Sequence, residues 1–305
     1  MTLPLVSVAV PAYNHATFLT ACLESVRNQT YPCLELVIVD DGSIDDTLAI
    51  AERFAADHAG RFAHLTILHQ ENHGVSAASN RAIAACQGEW VHLLGSDDLL
   101  YPDKIRVQQQ AIADWNEPRL ALVYSDVDFI DVNGQVLSSA TRKRPPPGPD
   151  HQAYLRLISY NDVANATVAL RREAFLAMGG FDEQLPLEDL DCWLRLSVHH
   201  AIARVPGLMA GYRRHNSNAS LRQRMMFEAN WDTLGKFAEQ HGALIPSALW
   251  RACLRRRLRS FLRWARKNAR ELIPMILSDA LLSFVRTPKP EAWRRYAAQC
   301  RMLDT

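Results

Sequence analysis

The sequence predicts an α/β fold built on a doubly wound, mostly parallel sheet flanked by helices, with a helical C-terminal extension. Two patterns carry this. Short apolar runs alternate with stretches of helical periodicity over the first half of the chain. Three of those runs also end in polar or acidic residues, at positions 11–14, 40–43 and 95–98, the strand ends where open α/β sheets hold ligands. The expected strands are Leu5–Val10, Leu34–Val39, Leu65–Leu68 and Trp90–Leu94, and the helices between them are Thr17–Arg27, Asp46–Asp57 and Ser76–Cys86.

A second strand region is expected at Ala121–Ile130, where Asn133-Gly134 is a hairpin turn toward Val136–Leu137. The basic, proline-rich run from Arg142 to Pro149 fits neither a regular helix nor a central strand and reads as an exposed loop. Ala164–Leu170 is strand-like, Leu187–Val198 helical, and Ile202–Val205 with Leu208–Tyr212 reads as a strand pair. From Leu221 onward the pattern is helical. The expected division is an α/β domain over 1–220, with parts over about 1–132 and about 133–220, and a basic helical region over 221–305.

The 305 residues are 48% hydrophobic and 22% charged, as in ordinary soluble domains, and the net charge of +1 conceals an acidic body and a basic tail. Six scattered cysteines without a Cys-x-x-Cys pair resemble neither a zinc site nor a disulfide framework, so a reducing cytosol is expected. The N-terminus enters a strand pattern without a signal-peptide profile, and no run reaches the ~18 apolar residues of a membrane span. The nearest candidate, Leu272–Val285, contains Pro274 and Asp279. The expected location is cytoplasmic.

Asp97 and Asp98 close the strand run Glu89–Leu94. Adjacent carboxylates repel and are costly to bury unless a cation or hydrogen-bond donors compensate them, and Mg²⁺ takes oxygen ligands shared with substrate phosphates. Asp40 and Asp41 end a second strand, where acids accept from a base imide or a ribose hydroxyl. Gly42 permits a tight turn, and Ser43 or Asp45 caps the helix that follows. Pro11, Tyr13 and Asn14 end the first strand in the same layer, where Tyr13 reads either as core packing or as a platform for a base.

These segments resemble family 2 glycosyltransferases of the GT-A fold: Val8 to Asn14, Val37 to Ser43, Asn72-His73-Gly74, Ser79 to Ala82 and Ser96-Asp97-Asp98. The resemblance continues through Gly179 to Glu183, Glu188 to Arg195 and Tyr212 to His215 with Ser217 and Ser220. It implies an inverting transfer of sugar from a nucleoside diphosphate sugar, a UDP-sugar being favoured, to a hydroxyl of a glycan or lipid-linked acceptor, with Mg²⁺ or Mn²⁺ assisting. By position it implies Asp40, Asp41 and Asp97 at the base and ribose, Asp98 and His215 at the metal, and Arg213 at the diphosphate. Pro11, Tyr13, Asn14, Asn72 and Gly74 complete the donor site. Asp189 is the expected base that takes the acceptor proton, with Glu188 beside it. Gly95 departs from relatives that carry an acid there, which implies that metal arrives mainly with the nucleotide.

Asp191 reads as a first-turn helix acid paired with Arg195, and Arg81 as one side of a surface salt bridge. Trp250–Arg270 holds nine Lys/Arg and no acid, with Trp250, Leu254, Leu258, Phe261, Leu262, Ala265 and Ala269 at helical spacing. This basic amphipathic helix either packs on the catalytic domain or contacts the anionic inner membrane. No nucleic-acid motif accompanies its charge. The expected product is a cell-envelope polysaccharide such as O-antigen, capsule or exopolysaccharide. The rival readings are a nucleotidyltransferase or dinucleotide-dependent oxidoreductase, disfavoured by the missing Gly-x-Gly-x-x-Gly turn, and a non-catalytic nucleotide-sugar-binding or membrane-docking module.

Overall fold

Runs rich in Val, Ile and Leu become strands buried on both faces, as a parallel sheet between helix layers requires. Such are β1 (Val6–Ala12), β2 (Leu34–Asp40) and β4 (Trp90–Leu93), whereas β3 (His64–His69) is only half-buried. The structure is a computed structural model that describes residues 3–268 apart from 141–143, 186–187, 217, 219–220 and 222. Arg142, Ser217, Ser220, Ala269, Arg270 and the run Leu272–Val285 lie outside the described residues. The chain divides into two compact units. The first comprises Met1–His151, Asp162–Glu183 and Leu196–Ser217; the second comprises Gln152–Asn161, Gln184–Arg195 and the chain from Asn218.

In the first unit the strand order is β3-β2-β1-β4, then β9 (Ala169–Arg171), β6 (Leu120–Ile130), β10 (Ala201–Arg213) and β5 (Leu99–Leu100). β1 pairs in parallel with β2 and β4, and β2 with β3. The intervening helices are α1 (Ala16–Arg27), α2 (Thr47–His58) and α3 (Val75–Ala85), so this portion is the expected alternating one. Val8, Val10, Leu36 and Ile38 of the sheet pack with Leu19, Leu23 and Phe54 of the helices in one apolar cluster.

Beyond it, β5 (Leu99–Leu100) and α4 (Lys104–Trp115) precede the long strand β6 (Leu120–Ile130). The Asn133-Gly134 turn delivers β7 (Val136–Ser139), antiparallel to β6, with Gly134 at φ 84°. β8 (Gly148–Asp150), β9 (Ala169–Arg171), α6 (Arg172–Ala177), α7 (Asp189–His199) and β10 (Ala201–Arg213) follow. Two expectations are corrected here. Only the end of Ala164–Leu170 is extended, because Asn165–Thr167 forms a 3-10 turn in which the Thr167 hydroxyl donates to the Ala164 carbonyl. The expected strand pair at 202–212 is one strand parallel to β6, its register shifting between Arg204 and Leu208, where Gly207 sits at φ 117°.

The second unit is helical: α5 (Ala153–Leu157), the first turns of α7, α8 (Gln223–His241) and α9 (Ser247–Asn268). Ala229, Trp231, Leu234 and Phe237 of α8 are buried, as are Trp250, Cys253, Leu254, Leu258 and Ala265 of α9. The apolar stripe of the basic helix is therefore spent on packing, and its arginines at 251, 255, 256, 259, 263 and 266 are exposed. Asp191 receives Arg195 at 2.7 Å, as expected, and also Lys236 at 2.9 Å. No described helix is long and apolar enough to cross a membrane.

One buried cation stands out in the first unit. Lys104 has no exposed surface, and its ammonium meets His92 Nδ1 at 2.7 Å and the Val168 carbonyl at 3.2 Å. Burial pulls the lysine well below its usual range, and burial together with Lys104 does the same to His92. A lysine depressed in the folded state binds more protons when unfolded, so its charge opposes folding at low pH and ceases to do so as pH rises. Lys104→Met is expected to shift the thermal midpoint more favourably at pH 6 than at pH 9; an equal shift at both would show that Lys104 is not held neutral.

Candidate active site

The first-unit site is assembled at the carboxyl ends of β1, β2 and β4. Asn14 follows β1 in the left-handed region at φ 52°, one of the few side chains that tolerate it. Its N–H donates to Ser43 Oγ at 2.9 Å, and its Oδ1 accepts from Ile44 N–H at 2.9 Å, which joins the first loop to the second. Asp45 accepts from the backbone of Ala16 and Thr47, the expected helix-start role. Pro11 is half-buried, and Tyr13 is 44% exposed and presents its ring to solvent rather than to the core.

The two acids ending β2 are both buried, and each holds a loop. Asp40 is fully enclosed, with Oδ2 on His69 Nδ1 at 2.8 Å and on Ser43 N–H at 3.3 Å. It was expected to meet the nucleoside directly; with no surface, it bears on a ligand only through the turn it supports. Asp41 accepts from His73 N–H at 3.0 Å, Gln70 Nε2 at 2.6 Å and Gly74 N–H at 2.8 Å. It thereby satisfies donors at the start of α3. Gly42, at φ 74°, lets this loop close in: a Cβ there would lie 2.8 Å from Asn72 N. Asn72 stays exposed, and Gly74 at φ 90° precedes α3. Among the described residues Arg81 makes no ion pair; its guanidinium is taken up by the His69 carbonyl and Gln70 Oε1.

At the end of β4 the paired acids diverge. Asp98 is buried, and its Oδ1 accepts the backbone N–H of Arg213 at 2.8 Å. Burial and the neighbouring Asp97 push its carboxyl well above the usual range. The Arg213 side chain turns back, donating to the carbonyls of Asp97 at 2.7 Å, Asp131 at 3.0 Å and Val132 at 2.8 Å, while stacking on Phe18 at 5.1 Å. Expected at the diphosphate, Arg213 instead is 3% exposed and ties down backbone.

Asp97 is the half-buried carboxylate of the pair. Its Oδ2 lies 2.9 Å from His215 Nε2. His15, whose Nδ1 meets Ser96 Oγ at 2.7 Å, stands edge-on to His215 with ring centroids 5.8 Å apart. One donor atom each from His15, Asp97 and His215 fall within 4.8 Å of one another, which fits a single cation. Burial lowers the pKa of His15 against the opposing pull of Asp97, so its ring is disposed to the neutral, ligating form. The expected metal pair Asp98 and His215 is thus corrected by one position: the buried Asp98 is occupied by backbone, and Asp97 faces His215. The absent side chain of Gly95 matters to this arrangement, since a Cβ there would lie 2.8 Å from Asp97 Oδ1.

In the second unit Glu188 and Asp189 open α7. Asp189 Oδ2 accepts from Asn161 Nδ2 at 2.9 Å, and its Oδ1 accepts from Leu190 N–H at 2.6 Å. Burial raises the Asp189 pKa against these two donors. Glu188 is pushed up to about 7, by burial first and by Asp189 second. A carboxylate fixed by a side-chain amide and titrating high is suited to taking a proton near neutral pH. Sequence reasoning missed His15 and Asn161, because each lies outside any periodic or paired pattern and gains its meaning only from what the fold sets beside it.

The family model of glycosyl transferase family 2 matches residues 7–178. The chain belongs to this family. A chondroitin synthase of Escherichia coli is 30% identical over 226 residues, 72% of this chain and 30% of that protein. The chain thus spans about a third of that relative's length. Among solved structures, S. aureus TarS 1-349 in complex with UDP-GlcNAc is similar with a TM-score of 0.59 at 18% identity, over 98% of this chain and 92% of that one. The mannosyltransferase PcManGT from Pyrobaculum calidifontis, in complex with GDP-Man and Mn²⁺, gives 0.60 at 18% over 98% and 84%. These likenesses establish the GT-A-like fold.

The Arg213 geometry makes a stability prediction within this family frame. A planar fork serves three carbonyls and an aromatic face, which an ammonium reproduces poorly. Arg213→Lys is expected to lower unfolding stability by about 1–3 kcal/mol, read from the denaturant midpoint, and an unchanged midpoint would return Arg213 to a ligand-facing role.

Proposed function

We propose that the protein is an inverting glycosyltransferase that moves a sugar from a nucleoside diphosphate donor to an acceptor hydroxyl in a single displacement. The observation that carries this reading is the cluster of His15, Asp97 and His215 at the end of β4, beside the loops that Asn14, Asp40 and Asp41 fix. These three side chains would hold a divalent ion, Mn²⁺ being better suited than Mg²⁺ to two imidazoles, and such an ion supplies charge neutralisation to a departing diphosphate. The Mn²⁺ and GDP-Man in the PcManGT structure and the UDP-GlcNAc in that of TarS support a metal-assisted nucleotide-sugar donor, with a UDP-sugar our choice. Tyr13, with its exposed ring, and Asn72 are the groups we assign to the nucleoside; Pro11 and Gly74 shape that wall.

Asp189 is the residue we assign to the acceptor hydroxyl. Asn161 holds its Oδ2, so the carboxylate is positioned before the acceptor arrives, and it takes the hydroxyl proton as the new bond forms. Glu188, whose own carboxyl Asp189 helps to push up, stands beside it. The acceptor is a glycan or a lipid-linked sugar, and the similarity to a chondroitin synthase supports assembly of a bacterial polysaccharide. Peripheral contact with an anionic membrane through 250–270 rests on the exposed arginines alone, since the apolar stripe is packed.

Asp189→Asn is expected to keep the thermal shift given by UDP-GlcNAc with Mn²⁺ while lowering turnover at least ~10²-fold. Unchanged turnover removes Asp189 from its role, and absence of turnover in the unsubstituted protein with every donor favours a non-catalytic binding module.

The pH profile provides a separate check. Asp189 works only when ionised, and burial raises its carboxyl, so activity falls as pH drops through that raised value. Asn161 donates to Asp189 and favours its ionised form, so Asn161→Ala is expected to move that limb of kcat to higher pH. A limb that stays in place would show that Asn161 does not favour the ionised carboxylate.

A further inference from the structure

Within the second unit, a hollow of about 620 Å³ is lined by the segment Ser159–Asn161 together with residues of α8 and α9. Its walls join two kinds of side chain. Tyr160, Phe227, Trp231 and Trp264 offer aromatic surface, with the Phe227 and Trp264 rings 5.6 Å apart and Tyr160 50% exposed. Arg256, Arg257 and Arg263 supply positive charge. Arg257 donates only to neutral oxygens, the Ile158 carbonyl and Asn230 Oδ1, and Arg256 lies 5.2 Å over the Tyr160 ring. Among the described residues, no carboxylate is within ion-pair distance of any of these three guanidinium groups. Three uncompensated cations on one concave wall call for an anion of planar or tetrahedral oxygens, which guanidinium groups bind in a fork. Aromatic faces beside them suit the apolar face of a sugar ring.

We propose that this hollow binds the acceptor, and that the acceptor is an anionic sugar, one whose carboxylate or phosphate meets Arg256 and Arg263 while its ring lies on Tyr160 or Trp264. The link to chemistry is Asn161, which lines the hollow and donates to Asp189. A sugar seated there comes beside the residue that orients the proposed base. This inference rests on the transferase reading and narrows it from any hydroxyl-bearing glycan to a charged one.

The test is direct binding by the full-length protein, followed by ligand-observed NMR and calorimetry, of methyl glucuronide, glucose 1-phosphate and neutral methyl glucoside. Both charged sugars, or one of them, are expected to bind at least about tenfold more tightly than the neutral one; which of the two binds distinguishes a uronate from a sugar phosphate. Arg263→Gln, at an exposed position, should remove that preference, and Trp264→Ala should weaken all three ligands. Equal binding of neutral and charged sugars would overturn the proposal, as would charged-sugar binding untouched by Arg263→Gln and Arg256→Gln. Arginine-dependent binding to phosphatidylglycerol vesicles without binding of any sugar would also overturn it, assigning the arginines to a membrane. The thermal shift of the unsubstituted protein with UDP-GlcNAc and Mn²⁺ reports on donor binding separately, so a failed sugar site and a failed transferase reading give different results.

Discussion

The arrangement of the site at the strand ends depends on a reciprocal clamp between the segment that follows β4 and the end of β10. The buried carboxylate of Asp98 takes the backbone N–H of Arg213, and the Arg213 guanidinium returns to the backbone carbonyl of Asp97. Each half satisfies a polar group that would otherwise be orphaned in the interior, where an unmet bond is expensive. The consequence is positional. With Arg213 fixed, His215 two residues on is delivered to Asp97, 118 residues away in sequence. The more buried acid of the pair thus organises the site and leaves its neighbour facing His215.

The same division recurs at β2, where Asp40 and Asp41 are consumed by loop donors rather than left open. The sequence made the location of these acids legible, because apolar runs ending in paired carboxylates mark strand ends in an open sheet. What it could not tell was which acid of each pair faces outward, since that depends on backbone donors arriving from distant segments. The family resemblance implies ligand roles for Asp98 and Arg213 by position, and both are bound up with backbone. His15 shows the converse: no pattern singles it out, yet its neighbours Ser96 and His215 make it part of the cluster.

The parallel half of the sheet was readable because strands buried on both faces leave long apolar runs with helical periods between them. The later half was less so. β9 is short because a Thr hydroxyl at 167 competes for the backbone and curls the segment before it, and β10 hides its continuity behind Pro206-Gly207. In the helical unit, charge patterning foretold a basic amphipathic α9 but not how its arginines divide. Arg257 is turned inward onto a carbonyl, while others line an aromatic wall.

β10 also bears on where this protein can be cut. The family match ends at residue 178, but the sheet takes in β10 between β6 and β5, and that strand leads directly to His215. A truncation drawn at the family boundary would strip an interior strand from the sheet, exposing two unpaired edges prone to self-association. It would also discard one of the three donors in the cluster. The smallest autonomous piece of this enzyme family member therefore extends past the stretch by which the family is recognised.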